Sequence, residues 1–93
     1  MSGGQITAVD IELARRIRAA REAAGLSQTE VGVRIGVSYQ QMQKYEHGRN
    51  RLSVGRLVRI ASALNLPAST LIEGLEQHLD PPVPGVESKR KLR

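Results

Sequence analysis

The stretch from Gln28 to His47 reads QTEVGVRIGVSYQQMQKYEH, and its punctuation falls at short, regular intervals. Ser27 stands just before it and Glu30 three residues later, the Ser-x-x-Glu pattern in which each side chain satisfies a backbone amide at a helix start. Val31 and Ile35 then recur four apart, as on one face of a helix, and Gly36 stops the run. Ser38 caps the next segment, which runs from about Tyr39 to His47 and ends at Gly48. Two short helices are therefore joined by a turn of about three residues containing a glycine.

A tight helix pair of this kind is a helix-turn-helix. The motif demands a small residue where the second helix is crossed closely by the third, here Gly32. It demands a residue able to take a left-handed conformation in the turn, here Gly36. Apolar side chains must face inward, and Val31, Ile35, Val37, Met42 and Tyr45 do so together. The opposite side of the third helix carries Tyr39, Gln40, Gln43, Lys44 and His47, with Gln41 toward its edge. That face is large and able to hydrogen-bond, yet has one formal charge. A face that is merely solvated is more often rich in Glu and Lys.

Outward from this pair the chain stays helical. Val9, Leu13, Ile17, Ala20 and Ala24 recur at spacings of three and four, with Asp10 as the expected cap and Gly25 as the stop. Ser53 opens a fourth helix whose apolar set is Val54, Leu57, Val58, Ala61 and Leu64. After Asn65-Leu66-Pro67 a fifth helix is predicted over 68–79, with Leu71, Ile72, Leu75 and Leu79 on one side. Gly74 lies inside it and weakens it by about 1 kcal/mol relative to alanine. The expected fold is all-α, a compact five-helix bundle. Residues 1–9 read as a flexible arm, 10–79 as the domain, and 80–93 as a disordered basic tail too rich in proline and charge to bury a core.

Composition excludes much else. The 93 residues contain no cysteine, so neither a disulfide framework nor a thiolate metal site is available. His47 and His78 are the two histidines; the first reads as a helix cap and the second as a surface residue. No metal site, cofactor or catalytic constellation can be assembled, and Gly48-Arg49-Asn50-Arg51 is too short for a phosphate loop and lacks its lysine. The chain therefore reads as a non-enzyme. No apolar run is long enough to span a bilayer, and the N-terminus lacks a secretory pattern, so the cytoplasm is the expected location. The formal charge is +5. It concentrates between Arg34 and Arg59, where Arg34, Lys44, Arg49, Arg51, Arg56 and Arg59 face Glu46 as the single acid. Such a distribution points to a polyanionic partner.

The string GLSQTEVGVRIGVSYQQMQKYEHGRNRLS, with RIRAAREAAGLSQ before it and LVRIASAL after it, resembles the phage Cro/CI-repressor type of helix-turn-helix, also called the XRE family of transcriptional regulators. The resemblance covers about Ile11 to Leu75. It implies a lambda-repressor-like DNA-binding domain whose third helix lies in the major groove of double-stranded DNA. Base reading then falls to Tyr39, Gln40, Gln43 and Lys44: glutamine matches adenine by two hydrogen bonds and lysine donates to guanine. Backbone or edge contacts fall to Gln28, Gln41, Arg49, Asn50 and Arg51, with Arg34 and Arg56 adding to the field. The resemblance also implies a partly buried structural ion pair between Arg21 and Glu46. One departure stands out, since the family usually has alanine where this chain has Gly32.

The expected function is a sequence-specific regulator, a repressor by occlusion, acting as a homodimer on a palindromic operator without a small-molecule effector domain. Part of the fifth helix is the expected dimer contact, and the tail SKRKLR a candidate phosphate clamp. Two readings compete. One is an antitoxin or adaptor of the same fold that works through a protein partner. The other is a non-specific nucleoid-type binder, against which the glutamine-rich face argues.

Overall fold

The structure is a computed structural model and describes residues 5–85. Its helices are α1 (Ala8–Ala23), α2 (Gln28–Ile35), α3 (Tyr39–Glu46), α4 (Val54–Ala63) and α5 (Ala68–Ile72), followed by a single 3-10 turn, Leu75–His78. There is no strand among the described residues. The expected all-α, five-helix fold is the one observed.

Local sequence sets most of the helix ends. Ser27, Ser38 and Ser53 each accept a hydrogen bond from a first-turn amide, those of Glu30, Gln41 and Arg56 respectively. The cap of α1 is Thr7, not Asp10. Asp10 sits three residues inside the helix and receives the Thr7 amide at 2.8 Å, closing a capping box. The helix thus begins at Ala8, within the segment expected to be a flexible arm; residues 1–4 lie outside the described residues. Gly36 ends α2 with φ +79°, and the following Val37 amide returns to the Gly32 carbonyl at 2.9 Å.

The core joins all five helices. Ala14, Ile17, Val31, Ile35, Met42, Leu57, Ile60, Ala61, Leu64 and Leu71 are buried. Removing Ile17, Met42 or Ile60 from water is worth about 1.5–3 kcal/mol each. The inward stripe of α4 differs from the expected one. Val54 and Val58 are exposed, while Ile60 is fully buried beside Leu57, Ala61 and Leu64. Those four follow the spacing three, one, three, so they share one stripe and leave the two valines on its flank.

The fifth helix is shorter than expected. It ends at Ile72, Gly74 takes φ +74°, and residues 75–78 form a 3-10 turn instead of continuing the helix. Leu71 is buried, Leu75 is half-buried, and Ile72 and Leu79 are exposed. The terminal carbonyls of α5 are not left open, because Arg16 of α1 donates to Leu71 at 3.1 Å and to Glu73 at 2.6 Å. A left-handed glycine and a side chain that caps the helix early together outweigh the apolar periodicity. The exposed residues 80–85 begin the segment expected to be disordered; SKRKLR lies outside the described residues.

Gly32 has a spatial reason. A methyl group there would sit 2.7 Å from the Val37 carbonyl oxygen, so α2 and the turn approach more closely than alanine allows. The departure from the family's usual alanine is matched by this tight approach.

Candidate nucleic-acid interface

Helix α3 is held from behind and open in front. Met42 is fully buried, and Tyr45 and Val37 pack against the core, which fixes the rotation of the helix. Tyr39, Gln40 and Lys44 are exposed on the opposite side, and Gln43 is half-buried there. Gln40, Gln43, Lys44, His47 and Arg49 line an open recess of about 280 Å³. Gln43 is tied down within it, since its Nε2 donates to the Tyr39 hydroxyl at 2.8 Å. Gln41 is half-buried at the edge, and its amide donates to Ser38.

Not every residue expected at the interface is equally available to it. Arg49 and Asn50 are exposed beside the recess. Arg51, expected among the backbone contacts, is engaged on the other side: its Nε donates to Asp10 at 3.2 Å and its Nη2 to the Gln5 carbonyl. That side chain braces the loop after α3 against the start of α1. Asp10 is partly buried, which disfavours its charge. The Thr7 amide and hydroxyl and the Arg51 guanidinium outweigh this and hold its carboxyl below the usual range. Gln28 is half-buried, with Nε2 donating to Glu46 at 3.0 Å. Arg34 and Arg56, expected to add to the field, donate to the carbonyls of Ala63 and Ile35. His47, expected on this outer face and as a helix cap, shares the recess, and it is the residue after α3 whose amide returns to Gln43. Its position three residues beyond Lys44 and four beyond Gln43 is the signal that places it on this face.

Glu46 is the single acid of the basic stretch, and its side chain is 0 % exposed. Arg21 grips it at two points, Nε to Oε2 at 2.6 Å and Nη2 to Oε1 at 3.0 Å, and also donates to the Leu26 carbonyl at 2.8 Å. The contact with Glu46 raises the Arg21 pKa. A carboxylate buried and matched in this way adds little negative field to the open side of α3. The face is therefore polar and basic over a rigid apolar back. It has the shape and donors to lie along a phosphate-lined groove and to hydrogen-bond base edges.

Among the described residues no group of three or more His, Asp and Glu could hold a metal, and no helix is long and apolar enough to cross a membrane. A family model described as a helix-turn-helix domain matches residues 12–72. A transcriptional regulator in the ATPase CF(0) region of Rhodospirillum rubrum is 48 % identical over 69 residues, which are 74 % of this chain and 64 % of that protein. The chain spans 46–64 % of the length of the curated relatives it matches. Among solved structures, the restriction-modification controller protein from Aeromonas hydrophila superposes with TM-score 0.63 at 26 % identity, covering 66 % of this chain and 92 % of that one. The P22 c2 repressor in complex with a synthetic operator superposes with TM-score 0.60 at 26 % identity, covering 67 % and 94 %. These relatives are a transcriptional regulator, a controller protein and a repressor. With α2 and α3 set at a glycine turn and the glutamine face of α3 turned outward, the chain belongs to the helix-turn-helix family of the Cro/CI-repressor type.

Proposed function

We propose that this protein is a sequence-specific regulator of transcription that binds double-stranded DNA through α3 and acts as a repressor by occluding its operator. The observation that carries the reading is the outward placement of Tyr39, Gln40, Gln43 and Lys44 on a helix locked from behind by Met42. The operator-bound state of the P22 c2 repressor, a structural relative, supports the same docking. In this reading Gln40 and Gln43 read adenine edges, Lys44 donates to guanine, and Tyr39 lies at the groove wall. Arg49, Asn50, Gln41 and the N-terminal amides of α2 near Gln28 face phosphates. The protein works as a two-fold dimer on a palindromic site in the cytoplasm, with residues 10–79 as the DNA-binding unit.

Selection of bound sequences from a random duplex pool tests this. A defined, symmetric site bound at least roughly a thousandfold more tightly than random DNA supports it. Neutralising four to six phosphates per protomer gives a slope of log K against log salt of about −4 to −5. Equal binding to all duplexes overturns sequence specificity, and no binding at low salt overturns the function.

A further inference from the structure

Tyr39 and Gln43 stand one helical turn apart at the front of α3, and each restricts the other. The Gln43 side chain has three rotatable torsions, and alone on a helix surface it would lose that freedom on meeting DNA. Here its Nε2 donates to the Tyr39 hydroxyl at 2.8 Å, and the tyrosine ring is a stiff post with two torsions of its own. The glutamine also lines the open recess with Gln40, Lys44, His47 and Arg49, so the pair stands on the open side of α3.

We propose that Tyr39 and Gln43 read DNA as one unit, the tyrosine hydroxyl holding the Gln43 carboxamide in the orientation that recognises adenine. The proposal rests on the major-groove role of α3 given above. An amide nitrogen has two protons. With one on the phenol oxygen, the other proton and Oε1 remain as a donor beside an acceptor. That pair complements the N7 acceptor and N6 donor of adenine. Guanine offers acceptors at both N7 and O6, so Oε1 would meet O6 lone pair to lone pair. Turning the amide to bring Nε2 toward guanine breaks the tyrosine bond. Tyr39 is therefore a positioning residue for base choice, acting through Gln43.

The test uses the full chain and duplexes bearing the site recovered from the random pool, with each of the four bases placed in turn at every position. The wild type is expected to prefer adenine by roughly tenfold or more at one position of each half-site. Gln43→Ala abolishes that preference, which assigns the position. Tyr39→Phe keeps the ring and the helix but is expected to reduce the preference severalfold there, with the base ranking elsewhere and the helical circular dichroism retained. In the double variant the loss equals that of Gln43→Ala alone, because the hydroxyl acts through the glutamine. Full adenine preference in Tyr39→Phe overturns the proposal, as do additive losses or a different base at the Gln43 position. In those cases the wild type still selects a site and the regulatory reading stands. A wild type without base preference anywhere overturns both.

Discussion

Arg34 and Arg56 cap each other's helices. Arg34 of α2 donates to Ala63, the last residue of α4, and Arg56 of α4 donates to Ile35, the last residue of α2, both at 3.0 Å. Two carbonyls left over by helix termini are thereby satisfied by cations, which also lie favourably at the negative ends of the helix dipoles. Arg56 is half-buried, so Arg56→Ala should destabilise by about 1–2 kcal/mol. Arg34 is exposed, and Arg34→Ala should cost less. Urea unfolding measures both. Under conditions where each variant is folded, the salt slope of DNA binding should stay at the wild-type value. A slope lower by about one would instead make the side chain a phosphate contact.

Arg21→Ala should be the most damaging of the polar substitutions. It leaves Glu46, fully shielded from solvent, with Gln28 as its remaining side-chain donor. Stranding a buried charge costs about 3–5 kcal/mol, comparable with the whole stability of a small domain. Chemical denaturation at neutral pH should show a nearly unfolded variant, and an unfolding midpoint within error of the wild type would sink the expectation.

Acid should loosen the first helix before the core fails. Hydrogen bonds from Arg15 and then Arg16 lower the Glu12 pKa to about 2 from 4.5. Glu30 is also lowered, chiefly by the Ser27 amide. A depressed carboxyl stabilises the fold fully above its unfolded pKa and loses that contribution as pH falls through the folded value. Thermal midpoints should therefore drop progressively between about pH 4.5 and pH 2. Glu12→Gln should lower the midpoint at neutral pH and flatten its fall over that window. An unchanged acid limb in the variant would count against the Glu12 contribution.

Base and phosphate contacts should separate by their dependence on sequence and on salt. Gln40→Ala is expected to relax preference at one position per half-site by roughly 1–3 kcal/mol. Arg49→Ala should weaken all sequences alike and reduce the salt slope by about 0.9. Fluorescence anisotropy on cognate and scrambled duplexes at several salt concentrations distinguishes them.

In the proposed dimer, the exposed apolar side chains around the end of α5 are the expected contact. Ile72 and Leu79 are open to solvent and lie at the end of α5 and just beyond the 3-10 turn. Leu79→Asp should give a folded monomer in sedimentation, with its helical signal intact. A persistent dimer would move the contact elsewhere.

Sequence alone carried the elements whose signals are local. Serine caps, the left-handed Gly36 and the three-and-four spacing around Ile35 and Met42 act within a few residues, so the α2–α3 pair and the outward glutamine face could be read directly. The family resemblance supplied the Arg21–Glu46 partnership. Tertiary structure decided what depends on distant groups. Arg16 reaches across more than fifty residues to close α5 early, and Arg51 turns back to Asp10. Arg34 and Arg56 find each other's helix ends, and the register of α4 places Ile60 inward while leaving Val54 and Val58 out. Long charged side chains have the reach and rotamer freedom to choose among several partners, and only the packed backbone determines which carbonyl or carboxylate comes within range.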